Sequence, residues 1–272
     1  MKSSISVVLP ILAPTPFLRA LAEFSIKTLR LHADNEFELV VVEAQERYFE
    51  QYALAVGGQP SVGIGLEVFH PLRIDNYLGF VPPIGGVKEI NAGIRAARGE
   101  FIVVTGTDVL VPPHWDTELL RVFEERPKDA GIATLVAKEP GVFIGPRDPM
   151  PMLVEGMFSP FSMFRRGWEY DEAYLRVYQD SDLVMRMYES GLRAFRNLRA
   201  AVWHLGQVSN DGADEAFRAA HARALAQDET LFYQRWGSSP LAMFAMTRYG
   251  QQSYGREHEA WTAPIHRHTV QT

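Results

Sequence analysis

The feature that most narrows what this chain can fold into is a rhythm. Short runs of aliphatic and β-branched residues alternate with longer stretches of helical period. SVVL at 6–9, FELVVVE at 37–43, FIVV at 101–104 and IATLVA at 132–137 are apolar at nearly every position. A strand with no polar face is covered on both sides, as in a parallel sheet between layers of helices. Phe17, Leu21, Phe24, Thr28 and Leu31 recur at 4-3-4-3 spacing and mark an amphipathic helix. GVKEINAGIRAAR at 86–98 forms another, with Ile90, Ile94 and Ala97 on one side. A helix near 45–56, a short strand at 65–69 and the loop GGQPSVGIG between them complete the first half. The pattern predicts a doubly wound, mostly parallel α/β sheet with helices on both faces. Ligands of such sheets bind beyond the carboxyl ends of the strands, which singles out Glu43 and Thr105–Asp108.

The second half is less regular. Residues 141–160 are rich in Pro, Gly and Met and read as loop. FSMFRRGWEYDEAY at 161–174 leads to a helix, FRNLRAAVWHLG contains a strand ending at His204, and residues 214–235 are helical. The final 35 or so residues carry three histidines and little periodicity, and read as a lid, a packing arm or an oligomer contact. The glycines of GGQPSVGIG precede a strand instead of opening a helix, so they are not a dinucleotide fingerprint.

The 272 residues suit one large domain, or a domain with an appendage, and 47% of them are apolar. A net charge of -6 argues against a surface built mainly to hold polyanions, whose affinity comes from clustered Lys and Arg. The absence of cysteine excludes disulfides and thiolate metal sites and fits a reducing compartment. The apolar N-terminal run is broken by Pro10, Pro14 and Pro16 and lacks a small-residue cleavage site, so it reads as a buried strand and not a leader. No run approaches the roughly 20 apolar residues that span a bilayer. A soluble, cytoplasmic protein is expected.

VYQDSDLVMRMYESG at 177–191 places Asp180 and Asp182 around a serine at the head of a core helix. Asp180 or Ser181 as a cap, with Asp182 at the positive end of the dipole and four residues from Arg186, is the structural reading.

Four stretches taken together resemble the family 2 glycosyltransferases of GT-A fold. INAGIRAARGEFIVVTGTDVLVPPHW is similar to the family's N-x-G, strand and acidic cluster. WEYDEAYLRVYQDSDLVMRMYESGLR resembles its aromatic-Asp-Glu segment followed by E-D-x-D-L-x-x-R. VWHLG at 202–206 and LFYQRWG at 231–237 are similar to its later His and Phe-x-x-Lys-Trp-Gly motifs. The resemblance covers roughly residues 4–237. It implies a GT-A fold with a nucleotide-sugar-binding half at 1–110, an acceptor and catalytic half at 111–237, and an arm or lid at 238–272. It implies transfer of a sugar from a nucleotide diphosphate, a UDP-sugar first, to a hydroxyl, with inversion. Asp180 is then the general base, set against the capping role. Asp108 and His204 would hold a divalent metal, with Mn²⁺ favoured over Mg²⁺ by the imidazole. Glu43 is either a nucleobase reader or a solvated strand-end acid. Lys88 and Asn91, at the helix after Gly85-Gly86, together with Thr105 and Thr107, line the donor side. Arg166, Trp168, Asp171, Glu172 and Asp182 fall on the acceptor side, with turn-capping as an equal role for Asp171 and Glu172.

Two departures stand out. Gln179 replaces the usual Glu, and TGTD at 105–108 keeps one carboxylate where two are common. Either both Asp positions are threonines, or Gly106 replaces the first and Asp108 is the second. The acceptor is not legible: glycan, lipid-linked sugar, small molecule, peptide and modified nucleobase all fit, and a homo-oligomer is compatible. A non-catalytic nucleotide-sugar-binding module is the alternative that the thinned acidic motif suggests. A sugar-nucleotide nucleotidyltransferase would want a Gly-rich basic loop after the first strand, which PILAPTPF lacks.

Overall fold

A computed structural model describes residues 4–12, 15–45, 47–53, 72–138, 153–155, 159–205 and 215–237. Among them nine strands form one sheet: β1 (Ile5–Ile11), β2 (Glu38–Ala44), β3 (Asn76–Phe80), β4 (Phe101–Thr105), β5 (Val109–Leu110), β6 (Ala130–Lys138), β7 (Leu153–Glu155), β8 (Phe161–Arg165) and β9 (Arg193–His204). Five helices accompany it: α1 (Pro16–His32), α2 (Gly86–Ala96), α3 (Trp115–Glu125), α4 (Gln179–Glu189) and α5 (Glu215–Trp236). The strand order is β3-β2-β1-β4-β8-β6-β9-β5, with β7 also on β9. The β3-β2-β1-β4 half is parallel throughout. β8 then runs antiparallel to both β4 and β6, and β6 and β9 are parallel. The winding reverses between β1 and β4, so the crevice at their carboxyl ends is the switch point where α/β sheets bind ligands.

Strand side chains alternate cleanly between two cores. Ile5, Val7, Leu9, Phe101 and Val103 pack with Leu18, Leu29, Trp115 and Leu119 of α1 and α3. Val8, Val40, Val42 and Ile102 pack with Val87, Ile94, Leu183 and Met187 of α2 and α4, and with Phe232 and Trp236 of α5. The doubly wound reading holds for this reason.

Three sequence expectations change. The 4-3-4-3 stripe of α1 is split: Leu21 and Thr28 face the core with Leu18, Ala22, Ile26 and Leu29. Phe17, Phe24 and Leu31 instead remain 54%, 52% and 73% exposed. The helix has two apolar stripes, and the one chosen from spacing alone mixes them. The expected helix near 45–56 is a 3-10 turn at Tyr48–Tyr52 in the described residues. Glu43 draws the Tyr48 and Phe49 N–H groups onto its carboxylate at 3.0 and 2.9 Å, which tightens the chain there. Within 141–160, read as loop, Leu153–Glu155 is a strand on β9. The expected strand at 65–69, the GGQPSVGIG loop and the last 35 residues lie outside the described residues. No helix of the described residues is long and apolar enough to cross a membrane.

Candidate active site

The loop after β4 carries Thr105, Gly106, Thr107 and Asp108 to the switch point. β5 follows at once and pairs antiparallel with the end of β9, Val109 opposite His204. The Leu205 N–H donates to the Asp108 carbonyl at 2.8 Å and ties loop and strand together. These ties bring the His204 Nε2 within 3.8 Å of the Asp108 Oδ2, both groups part-buried. A Cβ on Gly106 would stand 2.7 Å from the Asp108 Oδ1. Residues 106 and 108 therefore share one space, and glycine at 106 leaves it to the single carboxylate. Thr105 is buried at the strand end.

Asp180 stands at the head of α4. α4 starts at Gln179 after Tyr178, whose φ of 63° turns the chain, so Asp180 and Ser181 lie inside the first turn and neither is the cap. The Ser181 N–H donates to the Asp180 Oδ1 at 2.7 Å. Ile132, Ser162, Phe164, Tyr170, Leu183 and Val184 complete a small cavity around the carboxyl. Burial in this apolar pocket raises the Asp180 carboxyl to about 6, and the Ser181 N–H offsets only part of that. Desolvation thus outweighs the helix N-terminus, which alone would lower it. Ser162 and Phe164 pair with Val104 and Ile102, so the pocket lies against β8 alongside the middle of β4, on the sheet face that α2 and α4 cover. Beside it, the Gln179 Oε1 is buried with no protein hydrogen-bond partner among the described residues.

The donor-side helix begins nearby. Gly85 caps α2 without a side-chain hydrogen bond, and a Cβ on Gly86 would stand 3.4 Å from the Leu175 carbonyl oxygen. The head of α2 and the segment leading to α4 therefore touch. Glu89 accepts the N–H groups of Ile84 at 2.8 Å and Gly85 at 3.2 Å, shaping the entry to the helix. Lys88 is exposed on its first turn.

Several residues that the sequence placed on the ligand sides make hydrogen bonds within the scaffold. Glu43 is buried, its carboxylate committed to Tyr48 and Phe49 and, at 2.8 Å, to the Tyr77 hydroxyl. It is not a solvated acid. Asn91 uses both ends of its amide on Tyr170, donating to the carbonyl at 2.8 Å and accepting the N–H at 3.0 Å. Glu172 is held by Asn91 and Arg95, which keep its carboxyl below the ordinary value. Burial favours a neutral Asp171, yet the Ala173 N–H and Arg235 hold it below its ordinary value as well. Asp182 is a hub: its oxygens accept from Arg186 at 2.7 Å, Arg235 at 2.8 Å and the Trp236 Nε1 at 3.0 Å. The second and fourth sequence motifs are thus two halves of one contact.

Arg166 does not join the site. Arg165 pairs with Phe101 at the amino end of β4, and the Arg166 N–H donates to the Glu100 carbonyl at 2.8 Å. Four strand residues, about 13 Å at the usual rise, separate that end from Thr105. Trp168 follows close behind and packs, part-buried, against the α2–α4 core. Arg166 thus stands just past the end of β8, beside the amino end of β4.

Sequence reasoning missed Asp228. It is buried and accepts the N–H groups of Leu175, Arg176 and Val177 at 2.9, 2.8 and 2.9 Å. Its one signal was a position in the stripe Ala224, Asp228, Phe232 and Trp236, otherwise apolar at four-residue spacing.

The family model described as Glycosyl transferase family 2 matches residues 85–187, the span from the head of α2 into α4. No curated protein matches the sequence. Among solved structures, S. aureus TarS is similar at a TM-score of 0.55 and 14% identity over 85% of this chain and 43% of that one. Its 1-349 portion in complex with UDP gives 0.53 and 15% over 74% of this chain and 60% of that one. The mannosyltransferase PcManGT from Pyrobaculum calidifontis, in complex with GDP-Man and Mn2+, gives 0.56 and 16% over 93% of this chain and 70% of that one. The chain spans less than two thirds of the first two structures' length, and at these identities the likeness speaks for the fold. Residues 85–187 are thus similar to the family 2 glycosyltransferase model, and the chain as a whole shares the GT-A fold of these structures.

Proposed function

We propose that the chain transfers a sugar from a nucleotide diphosphate donor, a UDP-sugar first, to an acceptor hydroxyl, with inversion at the anomeric carbon. The observation that carries this is the meeting of Asp108 and His204, 3.8 Å apart just beyond β4, while the Asp180 pocket lies against β8, the strand next to β4. Among the described residues no group of three or more acidic or imidazole side chains gathers for a metal. A two-ligand oxygen and nitrogen set suits a divalent ion that completes its shell with diphosphate oxygens and water. Asp108 and His204 would hold it, and the imidazole favours Mn²⁺. Such an ion, when bound, supplies Lewis-acid neutralisation of the departing diphosphate.

The chain's own groups do the rest. Lys88 and the first-turn N–H groups of α2 meet diphosphate oxygens, as helix N-termini do. Asp180 takes the proton of the acceptor hydroxyl while that oxygen bonds to the anomeric carbon. The carbon–oxygen bond to the diphosphate breaks and its electron pair leaves with the nucleotide. A carboxyl raised to about 6 is a better base than an ordinary aspartate and still ionised at neutral pH. The buried Gln179 Oε1 orients the same hydroxyl or its neighbour, because an unmet acceptor gains most from a ligand donor. Glu43 bears on the nucleobase only through the turn it anchors, and Asp171, Glu172 and Asp182 hold the acceptor loop without touching the acceptor. The UDP complex of TarS and the GDP-Man and Mn2+ complex of PcManGT support the donor class and the metal.

A thermal-shift series over UDP, GDP, dTDP and CMP, with Mn²⁺ and with chelator, tests the proposal. A nucleoside diphosphate, UDP above the others, should raise Tm in Mn²⁺, and Asp108→Ala should remove that gain while leaving the chelator baseline. Equal weakening in both conditions would overturn the metal role.

A further inference from the structure

Asp228 sits at the centre of the buried face of α5, with Ala224, Phe232 and Trp236 one turn or two away. Stability alone would place an apolar residue there, since a buried carboxylate is costly unless hydrogen-bonded. This one is hydrogen-bonded to three successive backbone amides, 175–177, that carry no side-chain chemistry of their own. What the carboxylate specifies is the path of the backbone. That path ends at Tyr178, in the left-handed region, and the next turn presents Asp180. Two residues beyond Asp180 the same helix grips again, through Arg235 and Trp236 on Asp182. α5 therefore holds the chain on both sides of Asp180, through Asp228 on one side and Arg235 and Trp236 on the other.

We propose that Asp228 is a positioning residue: by fixing residues 175–177 it sets the start of α4 so that the Asp180 carboxyl is turned into its apolar pocket. Its effect on transfer rests on Asp180 being the base, as proposed above; its effect on the placement of Asp180 does not. The assignment separates Asp228 from an ordinary buried brace such as Asp116, which accepts the Asp34 and Asn35 N–H groups far from the crevice.

The test uses the full chain with Asp228→Asn, which keeps one acceptor oxygen, and Asp228→Ala, which keeps none. Carbon-detected NMR follows the Asp180 carboxyl through a pH titration, assigned by its loss in Asp180→Asn. The wild-type midpoint should lie near 6, and the folded variants should titrate about one pH unit lower or more as water reaches the carboxyl. UDP affinity in Mn²⁺ should stay within about twofold, while kcat for transfer or hydrolysis of a UDP-sugar falls about tenfold or more at unchanged donor KM. An Asp180 midpoint unmoved in Asp228→Asn, or in Asp228→Ala where it folds, overturns the proposal. So does a loss of UDP affinity that parallels kcat. A wild-type protein that turns over no donor with any metal sinks the glycosyltransferase reading, and the carboxyl titration still decides the positioning role.

Discussion

Replacing Asp180 by Asn should make the protein more stable and less active, and the size of the first effect can be worked out. In the unfolded chain the carboxyl has its ordinary value, 3.8; in the folded protein burial raises it to about 6. Between those values the folded protein keeps a proton that the unfolded chain has released, so folding stability falls as pH rises through the window. Above it the full penalty is in place. At about 1.4 kcal/mol per pH unit, the gap corresponds to roughly 3 kcal/mol, an upper figure because the group keeps some contact with solvent. Asn has nearly the same shape, retains an oxygen for the Ser181 N–H and carries no charge to desolvate. Urea denaturation of both proteins from pH 3.5 to pH 8 should therefore show curves that coincide near pH 3.5 and diverge to about 1–3 kcal/mol at pH 8 in favour of Asn. Subtraction removes the titration of every other group. Activity moves the other way: wild-type kcat/KM should decline below pH 6 as the base is protonated, and Asp180→Asn should lose about 10²–10⁴ in rate. A stability difference that is constant with pH, or an Asn variant less stable at pH 8, would refute the reasoning, since neither follows from relieving a desolvated charge.

Gly106→Ala puts a Cβ 2.7 Å from the Asp108 Oδ1 in a backbone without positive φ. Stability should change by less than about 0.5 kcal/mol, whereas Mn²⁺-dependent nucleotide binding should weaken several-fold in calorimetry; an unaltered affinity would mean that Asp108 works from another rotamer. Gly93→Ala, the glycine of the N-x-G motif, drives a Cβ to 2.6 Å from the Val42 Cγ2 and 2.7 Å from the Val8 Cγ1. Overpacking of about 1–3 kcal/mol exceeds the roughly 1 kcal/mol that alanine gains in a helix, so urea denaturation should show net loss; a gain would show that α2 can back away from the sheet.

β1, β2 and β4 of the parallel half were legible because they are apolar on both faces, a pattern few other structures produce; β3, NYLGF at 76–80, is half-buried along its length and was not expected. α1 was legible as a helix but not in its orientation. Phe17, Phe24 and Leu31 outrank Ala22 and Ser25 on any hydrophobicity scale, yet the small residues are the buried ones, and the Ser25 hydroxyl donates to the Val109 carbonyl of β5. The pairing of Asp108 with His204 was legible only as a resemblance, because it depends on the two-residue strand β5, too short for a sequence pattern. Arg166 was misplaced for a related reason: an antiparallel strand inserted among parallel ones sends its end to the amino end of β4, and FSMFR does not announce its direction.

The motif acids show where sequence reasoning about chemistry needs the fold. Of the carboxylates at and before the head of α4, Asp171, Glu172 and Asp182 are paired with Arg235, Arg95 and Arg186, and their negative charge is balanced inside the protein. Among the described residues Asp180 makes no ion pair, and it sits among mainly apolar side chains. A paired carboxylate is pulled toward low pKa and becomes a poor base; a desolvated one is pushed the other way. Four acids within twelve residues are therefore not four candidates. Arg235 and Arg95 help hold Asp171 and Glu172 below their ordinary values, Arg186 and Arg235 engage both oxygens of Asp182, and the same contacts lock the backbone that presents the fourth. The aspartate left without a counter-charge is the one whose proton affinity suits a base near neutral pH.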